Sequence, residues 1–112
     1  MSREQKIVYG KLVRDRIPEI ISADGRTPRV RVLEAQELLP ALIAKLHEEA
    51  EEVASAEPGE RLGELADIRE VVAALTVALG FTEAEVDEAA AAKRAQRGGF
   101  TRRLWLDEVL VP

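Results

Sequence analysis

Residues 45–70 read KLHEEAEEVASAEPGERLGELADIRE, and nine of them are acidic (Glu48, Glu49, Glu51, Glu52, Glu57, Glu60, Glu64, Asp67, Glu70) against three basic (Lys45, Arg61, Arg69). Like charges at this density repel each other. The stretch is therefore either a solvated helix surface or a place where some carboxylates gather to hold a cation. The EPGE segment at 57–60 breaks it into two halves, and each half carries helical periodicity.

Each residue advances about 100° around a helix. In the first half the chain is expected to be helical from about Ala35 to Ala56, with Leu39, Leu42, Leu46, Ala50 and Val53 as its apolar stripe. Pro40 must lie near the start of that helix or kink it, because an interior turn needs the amide that proline lacks. In the second half a helix is expected from about Arg61 to Leu79, stopping at Gly80, with Leu65, Ile68, Val72, Leu75 and Leu79 as its stripe. Measured from Glu49, the first stripe is centred roughly 60° to one side and Glu52 lies roughly 60° to the other. Glu64 and Asp67 stand in the same relation to the second stripe. A short break makes the two helices antiparallel neighbours. Matching flanks then fall on the same side of the interface, and both acid pairs lie equally far from Pro58. Glu49, Glu52, Glu64 and Asp67 are thus expected at one level, half-buried beside the core, while Glu51, Glu57 and Glu60 face water. Four anions that close are costly unless neutralised, and a hard cation with oxygen ligands does this. The plainer reading is that glutamate-rich helices are common and acid pairs at i, i+3 arise by chance. His47, about 160° from Glu49, falls off the acidic flank and reads as a surface residue.

The rest of the chain sets the bounds. A length of 112 residues fits one domain, here 1–112, and 46% hydrophobic residues make a small core. Aromatic residues are only 4%, so Leu, Val, Ile and Ala must fill it. Cysteine is absent, which excludes disulfides and thiolate chemistry, and one histidine excludes a histidine-based metal cluster within one chain. MSREQK leads into no long apolar run, and no run reaches the length of a membrane span. A cytoplasmic protein is expected.

Charge is unevenly distributed. Residues 1–31 carry eight basic groups and four acidic ones, and residues 93–103 (KRAQRGGFTRR) hold five bases and no acid. Basic ends of this kind neutralise an acidic middle across the fold, or bind an anion that arrives with a divalent cation, such as a nucleoside triphosphate with magnesium. Nucleic acid fits less well, because the acidic block repels a phosphate backbone and no known binding motif is present.

Other elements follow from local signals. KIVYGKLV reads as a short strand or extended arm. RDRIPEIISADG reads as a short helix, with Asp15 as N-cap, Pro18 in the first turn and Gly25 as the stop. RTPRVRVLE is extended. TEAE at 82–85 is a capping box opening a further helix, which ends at Gly98. FTRRLWLDEVLVP is an extended tail. The expected fold is mainly α, a helical bundle with short extended N- and C-terminal segments. The last helix offers only Val86 and alanines, and Ile43, Val71, Ala74 and Ala78 lie outside the main stripes. A second chain is therefore expected to complete a four-helix core.

Glu-Glu-x-x-Glu (Glu48, Glu49, Glu52) followed by Glu-x-x-Asp (Glu64, Asp67) resembles the signature of the all-α nucleoside triphosphate pyrophosphohydrolases, the MazG-like and phosphoribosyl-ATP pyrophosphohydrolase group. KLVRDRIPEII before it, and Lys93 with Arg97–Phe100 after it, resemble the short single-domain members. The resemblance covers roughly residues 9–104. It implies magnesium-dependent cleavage of a triphosphate between its α- and β-phosphates, giving a monophosphate and pyrophosphate, with manganese as a substitute ion. It implies Glu49, Glu52, Glu64 and Asp67 as ligands, and Glu48 as a fifth acid that orients water or a second ion. Glu48 and Glu49 are the candidates to accept the water's proton.

Lys11, Arg14, Lys93 and Arg97 are candidates to hold the phosphates. Each also has a structural reading: Lys93 and Arg97 complement a helix end, and Lys11 and Arg14 pair with surface acids. Trp105 either stacks a base or packs in the core or an interface. The resemblance further implies a homodimer or a dimer of dimers, and a role in cleaning the nucleotide pool. Two alternatives stand beside it: a phosphoribosyl-ATP pyrophosphohydrolase, whose known members lack the RGGF ending, and a non-catalytic acidic helical module for a basic partner. MazG itself has two such domains. Arg16 and Arg69 also depart from the family pattern, where a lysine and an apolar residue are expected.

Overall fold

The computed structural model describes residues 5–112, which divide into two compact units at the Gly80–Phe81 boundary. The first unit holds three helices, α1 (Ile17–Ala23), α2 (Ala35–Ser55) and α3 (Arg61–Ala78), with one 3-10 turn at Pro58–Glu60 between the last two. The second holds α4 (Glu83–Arg97) and the C-terminal tail. Among the described residues there is no strand, so the fold is mainly α. KIVYGKLV, RTPRVRVLE and the tail form no strand: Gly10, at φ +55°, bends the first, and the tail opens with a turn in which the Arg103 amide donates to the Phe100 carbonyl at 3.1 Å.

Local chemistry explains the helix ends. At α1, Pro18 takes its place in the first turn, where a missing amide costs nothing. Asp15 is not the N-cap; Arg16 is, in a helical conformation. The reason is a turn that runs straight into the helix, in which the Ile17 amide donates to the Arg14 carbonyl at 3.0 Å. Asp15 lies inside that turn rather than at its mouth. Gly25, at φ +81°, ends the helix in the left-handed region that a side chain disfavours.

α2 begins at a signal absent from the expectation. Glu37 Oε1 accepts the Glu34 amide at 3.0 Å, closing the first turn, and Arg31 braces the same carboxylate at 3.3 Å. These contacts, led by the Glu34 amide, hold the Glu37 carboxyl below its ordinary value. Pro40 lies in the second turn, and the helix runs through it to Ser55.

α2 packs against α3 as an antiparallel hairpin, the main tertiary contact of the first unit. Its seam differs from the expected one. The covered residues of α2 include Leu38, Leu42, Lys45, Leu46, Glu49, Glu52 and Val53, and those of α3 include Glu64, Asp67, Ile68, Val71 and Leu75, so Leu42, Leu46, Val53, Ile68 and Leu75 of the expected stripes are covered. The seam is therefore centred on Glu49 and Glu64 themselves, about 60° round from the expected stripes. Leu39, Ile43, Leu65, Val72 and Leu79 stay exposed in the single chain. The apolar arc of each helix is wider than one neighbouring helix can cover. Among the described residues, Leu42 and Val71 are the buried apolar side chains, and the buried Thr76 hydroxyl donates to the Val72 carbonyl at 2.8 Å.

The second unit follows its capping signals. The Glu85 amide donates to Thr82 Oγ1 at 3.1 Å, and the Thr82 amide donates back to Glu85 Oε1 at 3.0 Å, the reciprocal pair of a capping box. Gly98, at φ +80°, ends α4, and its amide donates to the Arg94 carbonyl at 2.8 Å. Arg94 and Arg97 lie in the last turn, where cations are favoured. Trp105 is 87% exposed. No described helix is long and apolar enough to cross a membrane.

Candidate metal centre

Glu49 and Glu52 come from the last third of α2, and Glu64 and Asp67 from the first half of α3. The i, i+3 spacing turns both members of each pair the same way. The five-residue connection, 56–60, then sets the two pairs at equal height. One oxygen from each of the four carboxylates lies within 4.8 Å of all the others. The four carboxylates expected from their spacing to converge do so. Glu52, Glu64 and Asp67 are half-buried, as expected, while Glu49, 4% exposed, is more deeply buried and sits in the seam rather than beside it.

The electrostatics of the group are uneven. Burial pushes the Glu49 carboxyl above its ordinary value, and its hydrogen bond with Glu52 pushes the same way; Lys45 opposes them. Lys45 Nζ lies 3.3 Å from Glu49 Oε1 and 3.6 Å from Glu48 Oε2. Lys11 Nζ donates to Glu48 Oε1 at 3.0 Å and lies 5.8 Å from the centre of the Tyr9 ring. That hydrogen bond is the main reason the Glu48 carboxyl falls below its ordinary value and the Lys11 ammonium rises above its own. Arg14 Nη2 donates to Asp67 Oδ1 at 2.7 Å.

Two oxygens break the pattern of satisfied groups. Glu49 Oε2 and Glu64 Oε2 are buried and accept no hydrogen bond. A buried carboxylate oxygen without a donor is expensive. A hard divalent cation takes oxygen ligands of this kind and removes both the desolvation cost and the mutual repulsion. The donor set therefore fits such an ion, and Glu49, Glu52, Glu64 and Asp67 are the residues able to hold it.

Of the four basic candidates, Lys11 and Arg14 lie at this centre, each bound to one of its acids. Lys93 and Arg97 belong to the second unit, where with Arg94 and Phe100 they line a shallow concavity at the end of α4. Lys45 is the contributor that the sequence reading passed over. Its signal was available: a lysine three and four residues before two glutamates on one helix faces both. Glu51, Glu57 and Glu60 are exposed, as expected, and so is His47.

No family model and no solved structure matches the chain. Over 47 residues it is 55% identical to an uncharacterized protein of Mycolicibacterium smegmatis, a match covering 42% of this chain and 48% of that relative. The matched part thus spans about half the length of the relative.

Proposed function

We propose that the protein is a divalent-cation-dependent hydrolase of nucleoside triphosphates, releasing pyrophosphate and a nucleoside monophosphate. One observation carries the reading: four carboxylates from two helices converge within 4.8 Å, and two of their buried oxygens have no hydrogen-bond donor. Glu49, Glu52, Glu64 and Asp67 hold magnesium, or manganese in its place. A cation held by these four carboxylates would neutralise phosphate oxygens and polarise the bond to be broken. Glu48 and Glu49 are the acids placed to take a proton from the attacking water. Lys11 and Arg14, already at the centre, offer donors to the phosphates, and Lys93 and Arg97 are the further candidates for that role. A nucleotide-pool cleaning role in the cytoplasm, on a canonical or modified nucleotide, belongs to the same reading.

The exposed apolar face of α2 and α3 supports a homodimer, in which a second chain covers Leu39, Ile43, Leu65, Val72 and Leu79 and completes a four-helix core. Incubation with a panel of nucleoside triphosphates and magnesium tests the activity. Pyrophosphate and a monophosphate are expected. Orthophosphate and a diphosphate mean that the other bond is cut, and no product from any nucleotide removes the reading.

A second reading, a non-catalytic module for a basic partner, rests on the exposed Glu51, Glu57 and Glu60, which no metal needs. Metal binding separates the two, because such a module needs none.

A further inference from the structure

The acids of the centre are partly neutralised by the chain itself. Counting Glu48, which shares Lys45 with Glu49, there are five carboxylates. The ion pairs that reach them come from Lys11, Arg14 and Lys45. Two negative charges remain, and two buried oxygens, on Glu49 and Glu64, remain without donors. One divalent cation matches that remainder in both charge and ligand demand. A second ion would leave an excess of positive charge among partly buried groups, with no anion to offset it.

We propose that Lys11 and Arg14 are built-in counter-ions that limit the centre, in the absence of substrate, to one divalent cation per chain. The proposal rests on the reading of Glu49, Glu52, Glu64 and Asp67 as a metal centre. Both residues lie in the segment before α1, so that segment is part of the centre although it contributes no ligand. Both are substantially exposed, and each donates one hydrogen bond to one acid. Their contribution is charge rather than packing. A second cation enters only with a ligand that brings its own negative charge. A triphosphate does so, and its oxygens give Lys11 and Arg14 new acceptors beside Glu48 and Asp67.

The test is a manganese titration of the full chain without nucleotide at neutral pH, with free Mn2+ read from its paramagnetic resonance signal. The parent protein binds one Mn2+ per chain. The double variant Lys11→Gln/Arg14→Gln binds two, the first tightened by about tenfold or more, because two repelling charges have left. Lys11→Arg/Arg14→Lys, which keeps both charges, stays at one. Two ions on the parent protein, or one on the double variant at unchanged affinity, overturn the proposal. No Mn2+ on the parent protein overturns the metal-centre reading as well, so the two failures are distinct. Circular dichroism reports whether the double variant keeps its helices. If it does not, Arg14→Gln alone must bind the first ion more tightly, and unchanged affinity there counts against the proposal.

Discussion

Glu49 of α2 and Glu64 of α3 meet across the helix seam, each with one buried oxygen that accepts no hydrogen bond. Most helix pairs place leucine or alanine at such a level. Here the seam gives up apolar contact at its centre and takes on repulsion, an arrangement that costs stability unless a cation occupies it.

Stability without metal tests that cost. The Glu49 carboxyl is raised above its ordinary 4.5 on folding, chiefly by burial. A carboxyl shifted this way stabilises the fold below its unfolded value and loses that contribution as pH rises through its folded value. Glu49→Gln is therefore expected to melt higher than the parent protein at neutral pH without metal. The gain is a few degrees, the size that about 1 kcal/mol produces in a chain of this length. The difference should close as pH falls below 4.5. Thermal melts across pH check it, and a variant less stable at neutral pH contradicts it.

Added manganese should reverse that order. It raises the melting temperature of the parent protein by ligand linkage and leaves Glu49→Gln and Asp67→Asn nearly unmoved. Both variants should lose about a hundredfold or more in turnover, the order expected when a group that stabilises transition-state charge is removed. Full activity in both would show that the reaction lies elsewhere.

Core truncations should separate the covered seam from the open face. Leu42 is 4% exposed, so Leu42→Ala is expected to cost about 2–4 kcal/mol in denaturant unfolding. Leu65 is 55% exposed in the single chain, and Leu65→Ala should cost well under half of that if no partner covers it. A cost as large as that of Leu42→Ala would mean that a second copy buries Leu65.

Light scattering over a dilution series reads the same question directly. A dimer mass is expected for the parent protein, and a monomer mass for Leu65→Ser/Val72→Ser, whose changes place hydroxyls on the shared face. A parent monomer at every concentration removes the homodimer.

Thr82→Ala should shorten α4 from its start. It removes the oxygen that accepts the Glu85 amide, at a cost of about 1 kcal/mol. Amide exchange at Glu83–Val86 should accelerate while exchange in α2 stays as it was.

Some of this was legible in the sequence and some was not. The helix limits at Ser55, Ala78 and Gly98 lay within a residue or so of their expected positions, because proline, glycine and the capping box act through neighbouring backbone groups. The four carboxylates were legible because i, i+3 spacing and equal distance from Pro58 are properties of the chain alone. The seam was not. Periodicity locates an apolar arc but not which part of it a neighbour covers, and Leu65 and Val72 belonged to the part left open. Lys11 and Arg14 meet Glu48 and Asp67 through an irregular segment, whose path no periodic pattern predicts.

All four carboxylates lie within residues 49–67, on either side of a single 3-10 turn. The closing loop is short, and its entropic cost is correspondingly small. A chain polymerised only as far as Ala78 already contains every acidic donor of the centre, and neither α4 nor the tail supplies one. The acidic donors of the centre are thus complete within the first unit and need no residue beyond Gly80.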